Sequence, residues 1–133
     1  MDIRVERSTD QDDIRKLTEI AFRDMPYADG DEQDVIDRLR ENNALVLSLV
    51  AIDDGQLIGQ VTFSPAKISQ GHGPWFALGP VAVLPTRQGE GIGSALIIEG
   101  LTKIKSLGAL GCILTGNPDY YRKFGFELSP ANS

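Results

Sequence analysis

The chain of 133 residues contains one cysteine, one histidine and no long run of apolar residues. Because Cys112 has no second cysteine to pair with, no internal disulfide forms, and we expect a reducing compartment. Residues 1–7 lack the apolar core of a secretion signal, and no later segment reaches the length of a membrane span. We therefore expect a cytoplasmic protein that has no membrane partner and folds without a disulfide or a bound metal ion.

Positive charge is scarce as well, with 13 lysine and arginine residues against 19 acidic ones and a net charge of −6. A protein that binds nucleic acid irrespective of sequence needs clustered positive charge to displace counterions from phosphates, so this class of partner is disfavoured. The excess of acidic residues is concentrated in residues 23–41, which contain seven acidic residues and three arginines. Such a stretch is typical of a solvated helix face, and it would also attract a cationic ligand.

Length and composition favour one domain over residues 1–133, since 41% of the residues are hydrophobic and 24% are charged. The sequence has no repeat, low-complexity tract or linker. Alternating and helical periodicities predict the element order β-α-α-β-β-β-α-β-α-β, an α/β arrangement on a largely antiparallel sheet. Asp54-Gly55 lies between two apolar runs and predicts a hairpin between the second and third strands.

The segment 78–96 joins an apolar strand to a helix through a turn rich in glycine. The strand is predicted over residues 75–83, and Gly79-Pro80 within it predicts a bulge or a splayed edge, because proline cannot donate to a strand ladder. A strand that parts from its neighbour leaves backbone groups for an amide-bearing ligand. The helix is predicted from Ser94 onward, with a stop at Gly108.

The turn itself predicts a site for a phosphate. The first N–H groups of a helix, about four of them, have no partner within the helix, and the peptide dipoles add roughly half a positive charge there. An anion at this point meets hydrogen-bond donors and a favourable field. Gly89, Gly91 and Gly93 give a bulky pyrophosphate close access to the main chain, because a Cβ would obstruct that approach.

Other phosphate-binding motifs fit this turn less well. The chain contains no Gly-x-x-x-x-Gly-Lys-Ser/Thr sequence, so it has no P-loop. A dinucleotide fingerprint begins at Gly89, but its third glycine falls at Ser94, and Gly111 and Cys112 stand where an acidic residue is needed about twenty positions on. A tight strand-to-helix turn would need one glycine for its geometry, whereas this turn has three.

Residues 88–93 read Gln-Gly-Glu-Gly-Ile-Gly, which matches the pattern Gln/Arg-x-x-Gly-x-Gly/Ala. This sequence resembles the acetyl-CoA pyrophosphate motif of the GNAT superfamily of N-acetyltransferases. Residues 78–85 before the motif and 117–126 after it are similar to a bacterial subgroup of predicted N-acetyltransferases, and segments 35–40 and 59–64 stand in the order which that subgroup uses. The resemblance covers nearly the whole chain, and its central motif is specific.

The resemblance implies the GNAT fold, a mixed and mostly antiparallel sheet flanked by helices, with acetyl-CoA as the acetyl donor. It also implies that the pantetheine arm of CoA pairs with the strand at Val81, Ala82 and Val83. The pyrophosphate is expected at Gln88, Gly89, Glu90, Gly91, Ile92, Gly93 and Ser94. Members of this fold usually have a further strand that pairs with the one begun at Phe126. Because the chain ends at Ser133, we expect that last strand to be lacking or to come from another chain.

Acetyl transfer to an amine also needs a proton for the leaving thiolate. The resemblance places the general acid at Tyr121, three residues before Phe124 in Tyr-x-x-Phe-Gly-Phe, although an aromatic side chain there can also simply fill the core. No general base is evident, because a lone loop histidine such as His72 is typically solvated, and a water relay is an equal candidate. Asn117 stands closer to the tyrosine than in many relatives, which leaves its contact with CoA open. Cys112 lies in an apolar strand, and we expect it to be buried and structural.

The sequence therefore predicts an acetyl-CoA-dependent N-acetyltransferase that moves an acetyl group to a primary amine by direct transfer in a ternary complex. The acceptor stays open between a small-molecule amine and an amine on a protein, and a homodimer is a further option. The alternative is a catalytically silent CoA-binding module or one half of a swapped dimer, which the short C-terminus and the missing base favour.

Overall fold

Five strands and three helices make up the part of the chain that the computed structural model describes, namely residues 1–23, 32–66, 75–109 and 111–114. The strands are β1 (Asp2–Val5), β2 (Leu47–Asp53), β3 (Gln56–Ala66), β4 (Trp75–Val83) and β5 (Gly111–Leu114). The helices are α1 (Gln11–Phe22), α2 (Glu32–Glu41) and α3 (Ile92–Ser106), and 3₁₀ turns at Ser8–Asp10 and Pro85–Arg87 come before α1 and α3. None of these described helices is long and apolar enough to cross a membrane.

The strands form one sheet in the order β1-β2-β3-β4-β5. Neighbouring strands are antiparallel, except that β4 and β5 run parallel. A parallel pair needs a long crossover connection, and α3 supplies it between β4 and β5. This arrangement confirms the predicted mixed and mostly antiparallel sheet.

Helices cover both faces of the sheet. Val50 on β2 is fully buried in a cluster with Ile14 of α1 and Ile36 of α2. On the neighbouring strand β3, Gly59 lies against the side chains of α3. Gln60, the residue after it, pairs with Val50. Because successive residues of a strand face opposite sides, α1 and α2 pack on one face of the sheet and α3 on the other.

The hairpin between β2 and β3 closes as the sequence predicts. Asp53 pairs with Gln56, so Asp54 and Gly55 form a turn of two residues. Their φ angles of 50° and 74° are both positive, as in the type I′ turns that match the twist of a hairpin. This tight turn fixes Asp53 at the end of the sheet where β4 also ends.

Asp10 stabilises the chain segment just before α1. Its carboxylate accepts a hydrogen bond from the backbone N–H of Arg7 at 2.7 Å and another from Nη1 of Arg4 at 2.7 Å. The side chain is 11% exposed, and the hydrogen bond from Arg4 lowers the pKa of Asp10 below its ordinary value. The helix that follows buries Ile14, Leu17, Thr18, Ala21 and Phe22.

Helix α3 begins at Ile92, earlier than the predicted start at Ser94, because Gly91 serves as its N-cap. Its middle packs closely on β3 at Gly100, where a Cβ would overlap the ring of Phe63. The absence of a side chain at Gly100 therefore brings the helix and the sheet together at this point.

The predicted stop of α3 at Gly108 is confirmed. The N–H of Gly108 donates to the C=O of Lys105 at 3.0 Å, and the N–H of Ala109 donates to the C=O of Ile104 at 3.1 Å. With Gly108 at φ +91°, these bonds form a Schellman motif, which satisfies the last carbonyl groups of the helix.

The side chain of Cys112 on β5 is less buried than predicted. Cys112 is half-buried rather than fully buried, and Ile113 beside it is 39% exposed. Burial nevertheless raises the pKa of the Cys112 thiol to about 11. The last helix of the predicted element order and the strand predicted from Phe126 lie outside the described residues.

Candidate functional site

A bulge divides β4 into two halves. Val61 of β3 pairs with Val81, whereas Phe63 pairs with Leu78, so one residue of β3 faces two residues of β4. Those two are Gly79 and Pro80, which are joined by a cis peptide bond. The structure thus confirms the bulge predicted from Gly79-Pro80 and places it in the middle of the strand.

In the second half of β4, the backbone N–H and C=O groups of alternate residues point away from β3. The N–H of Leu84 donates to the C=O of Ile58 at 2.9 Å, so these two residues form a hydrogen-bonded pair. Such pairs alternate along an antiparallel ladder, and Val81 and Val83 therefore direct their N–H and C=O groups to the opposite side. Ala82, between them, directs its backbone toward β3.

The side of β4 to which Val81 and Val83 turn is the side of β5. The parallel ladder joins residues 75–78 of β4 to residues 111–114 of β5. In the part of the chain that the structure describes, this ladder stops at Leu78, before the bulge. The described part of β5 ends at Leu114, so the pairing of β4 beyond the bulge, and with it the predicted splayed edge, lies outside the described residues.

The glycine-rich turn brings uncapped N–H groups to the same end of β4. Gly91 is the N-cap of α3 with φ +84°, and no side chain caps the helix. The N–H of Ala95 donates to the C=O of Gly91 at 3.0 Å, whereas the N–H groups of Ile92, Gly93 and Ser94 have no hydrogen-bond acceptor among the described residues. These groups carry the positive end of the helix dipole, so the arrangement can hold an anion.

Gln88 connects the glycine-rich turn to β4 through a hydrogen bond. Its Nε2 donates to the C=O of Val83 at 3.2 Å, which is one of the backbone groups that β4 turns away from β3. The first residue of the predicted motif therefore contacts the strand predicted to hold the pantetheine arm. This contact brings the two parts of the predicted site together.

Arg87, just before the motif, makes a second connection that the sequence alone did not indicate. Its Nη2 lies 2.9 Å from Oδ2 of Asp53, and its Nε lies 3.0 Å from Oε1 of Glu90. The hydrogen bond from Arg87 lowers the pKa of Asp53. Arg87 and Asp53 are 34 residues apart, so no local spacing indicates the pair, whereas the spacing of three to Glu90 is a visible signal.

Two acidic residues of α2, Asp34 and Asp37, form ion pairs. Arg15 of α1 binds the carboxylates of Asp34 and Asp37, and Arg40 binds Asp37 and Glu6. These contacts support the interpretation of α2 as a solvated, ion-paired helix face. They also reduce the negative charge that the described part of the acidic stretch offers to a cationic ligand.

Several predicted residues fall outside the described part of the chain. They are Tyr121, Asn117 and His72. Within residues 1–23, 32–66, 75–109 and 111–114, the side chains of His, Cys, Asp and Glu form no group of three that could hold a metal ion. The described site therefore consists of the second half of β4, the turn and the start of α3.

Comparison with known proteins assigns this architecture to a family. The sequence model of the acetyltransferase (GNAT) domain matches residues 2–129. The chain is 38% identical over 128 residues to the N-acetyltransferase YhbS of Escherichia coli strain K12, which covers 96% of this chain and 74% of YhbS. The N-acetyltransferase YjhQ of the same strain is 30% identical over 123 residues, covering 90% of this chain and 67% of YjhQ.

Solved structures agree with the sequence comparison. A GNAT family acetyltransferase from Brucella melitensis in complex with acetyl-CoA is 50% identical, with a TM-score of 0.86, and the match covers 96% of this chain and 82% of that one. Escherichia coli YhbS in complex with CoA is 35% identical, with a TM-score of 0.81, covering 95% of this chain and 68% of that one. The chain belongs to the GNAT family of N-acetyltransferases.

Proposed function

We propose that this protein transfers an acetyl group from acetyl-CoA to a primary amine, directly and within a ternary complex. One observation carries the proposal: the start of α3, whose first N–H groups have no acceptor among the described residues, lies beside the end of β4, to which Gln88 connects it through the C=O of Val83. The complexes of the two similar acetyltransferases with acetyl-CoA and CoA support the same donor here. Residues 1–133 act as one domain in this proposal.

The two elements fit two parts of the donor. The pantetheine arm carries amide groups, and in this proposal it lies along the edge of β4 at Val81 and Val83 in the manner of an added strand. Ala82 lies in the same strand, but its backbone N–H and C=O groups point toward β3. The pyrophosphate lies at the turn, and the residues assigned to it are Gln88, Gly89, Glu90, Gly91, Ile92, Gly93 and Ser94.

In this proposal the thioester lies beside the second half of β4. Holding the amine and the thioester in contact can contribute about 7–11 kcal/mol to lowering the barrier, because a reaction between two molecules becomes one within a complex. A backbone N–H of the second half of β4 can then donate to the oxyanion that develops on the carbonyl oxygen. The acceptor approaches as a neutral amine, since a protonated amine has no lone pair for the attack.

Collapse of the tetrahedral intermediate breaks the bond between carbon and sulfur and leaves a thiolate. We assign the proton that this thiolate takes up to Tyr121, which lies outside the described residues. An unperturbed tyrosine has a pKa of about 10 and so keeps its proton at neutral pH, which makes it available as a donor. A water relay and a side chain are equal candidates for taking up the proton that the amine loses.

Two measurements test the function. Acetyl-CoA is expected to raise the unfolding temperature of the protein, because a ligand that binds the folded form stabilises it, and NAD is expected to have no such effect. Release of free CoA thiol in the presence of a panel of small amines and peptides, followed by mass detection of the acetylated product, then identifies the acceptor. Stabilisation without thiol release across the panel would favour a CoA-binding module instead.

The role of Tyr121 has a separate test. Tyr121→Phe is expected to lower turnover at least ~100-fold through loss of the general acid, while the affinity for CoA stays nearly unchanged. The phenyl ring fills the same space, so a role in the core alone would leave turnover intact. Retained turnover in this variant would remove Tyr121 from the reaction.

A further inference from the structure

Arg87 stands between two carboxylates at the start of the phosphate turn. Its guanidinium contacts Oδ2 of Asp53 through Nη2 at 2.9 Å, and its Nε lies 3.0 Å and 3.1 Å from the two carboxylate oxygens of Glu90. The side chains of Arg87 and Asp53 are each 30% exposed, whereas Glu90 is 47% exposed. The guanidinium is thus engaged on both sides by protein groups.

The contact with Asp53 joins the turn to a rigid part of the sheet. Asp53 is the last residue of β2 and sits at the tight hairpin turn. Arg87 is the last residue of the 3₁₀ turn that leaves β4. Gly89 and Gly91 have positive φ angles and no side chain, and a Cβ built on either would meet no atom within 4 Å, so neither residue anchors the turn through a side chain. Arg87 therefore holds a segment that its own glycines do not anchor.

The contact between Arg87 and Glu90 compensates a negative charge within the turn. Glu90 lies between Gly89 and Gly91, in the middle of the segment assigned to the pyrophosphate. A carboxylate there repels a phosphate, and the effect adds to the net charge of −6 of the chain. Because the Nε of Arg87 is close to both of its oxygens, the negative charge of Glu90 is compensated and held to one side of the turn.

We propose that Arg87 is a positioning residue for the pyrophosphate of acetyl-CoA, which fixes the turn to the β2–β3 hairpin through Asp53 and restrains the carboxylate of Glu90. The proposal rests on the proposed function, since it assumes that the turn binds CoA. Arg87 acts here through the geometry and charge of the turn, and its guanidinium stays on the two carboxylates when the ligand binds.

The opposite assignment, in which Arg87 itself binds a phosphate, makes a different prediction for Asp53. If Arg87 bound phosphate, Asp53 would compete for the guanidinium, and Asp53→Asn would leave CoA binding unchanged or strengthen it. If Arg87 positions the turn, Asp53→Asn removes its anchor and weakens binding. The two roles therefore differ in the sign of the effect of one nearly isosteric substitution.

The experiment measures the dissociation constant of CoA by calorimetry for the full chain and its variants, with the unfolding temperature of each variant as a check on folding. Arg87→Met is expected to raise the dissociation constant roughly tenfold and Asp53→Asn roughly threefold, as for partly exposed ion pairs that act together. Glu90→Gln is expected to lower it about twofold and to restore part of the loss in the Arg87→Met background. Arg15→Met, which also removes ion pairs with two carboxylates but on α2, away from the turn, is the matched control and is expected to leave CoA binding unchanged.

The outcomes separate this proposal from the proposed function. No binding of CoA by the unsubstituted protein overturns both. Binding that is insensitive to Arg87→Met overturns the role of Arg87 alone, as does an unchanged or tighter complex with Asp53→Asn. A failure of Glu90→Gln to restore binding in the Arg87→Met background also contradicts it, because a purely structural role of Arg87 gives no such rescue.

Discussion

Substitution of the two glycines at the ends of α3 gives a sharp test of the phosphate turn. Gly91 is the N-cap with φ +84°, and Gly108 follows the C-terminus with φ +91°. A Cβ built on either residue meets no atom within 4 Å, so both alanine variants avoid steric overlap in the free protein. Any loss that they share comes from the left-handed backbone conformation, which costs a residue with a Cβ about 1–2 kcal/mol.

The two variants are expected to diverge when CoA is added. Gly91→Ala places a methyl group where we propose that the pyrophosphate approaches the main chain, and loss of one hydrogen bond to a charged group costs about 1.5–3 kcal/mol. This corresponds to a roughly 10- to 100-fold weaker complex. Gly108→Ala, at the far end of the helix, is expected to bind CoA as the unsubstituted protein does.

Urea unfolding measures the free energy of unfolding of each variant, and calorimetry measures its dissociation constant for CoA. If both variants lose similar stability and both keep their affinity for CoA, close approach of a phosphate at Gly91 is refuted. Equal loss of affinity in both would instead attribute the effect to the helix as a whole.

Three further predictions concern stability and reactivity. Gly100→Ala is expected to lower the free energy of unfolding by about 1–3 kcal/mol, since its methyl group overlaps the ring of Phe63, and Phe63→Leu in the same chain is expected to recover part of that loss in urea unfolding. Because burial raises the pKa of Cys112 to about 11, its thiol is expected to react with a disulfide reagent much more slowly at pH 8 than after unfolding in urea; equal rates would contradict this. The folded-state pKa of Asp10 is lowered, so its contribution to stability is present above its unfolded pKa of about 3.9 and disappears as the pH falls through the folded value. Asp10→Asn is therefore expected to be less stable at pH 7 and to lose less stability on acidification, whereas parallel pH profiles of the urea midpoint would argue against it.

Local features of the fold were predictable from the sequence because their causes are local. Asp54-Gly55 adopts positive φ angles readily, so the hairpin followed from two residues. The stop at Gly108 and the bulge at Gly79-Pro80 likewise depend on conformational properties of single residues. The start of α3 was misplaced, because the glycines at 89, 91 and 93 are equivalent in the sequence and the N-cap is chosen by the backbone path from β4.

The sequence predicted which residues form the candidate site, but it predicted less well how their backbone groups are oriented. The motif at residues 88–93 pointed to an anion at a helix start, and Val81, Ala82 and Val83 pointed to the strand beside it. The sequence did not predict the direction of each backbone group. That direction depends on which residues of β4 form hydrogen-bonded pairs with β3. This pairing separates Ala82, whose backbone bonds toward β3, from its two neighbours.

The sequence by itself determined the order of the described elements, the hairpin, the bulge and the glycine-rich turn, since each arises from the conformational preferences of adjacent residues. The tertiary structure alone decided which groups meet across the sheet. Asp53 reaches Arg87 because β2 and β4 flank β3 and end together, and Gln88 reaches the C=O of Val83 because the turn folds back over the strand. Contacts of this kind join residues that are distant in sequence or depend on the path of the chain, so no local pattern in the sequence records them.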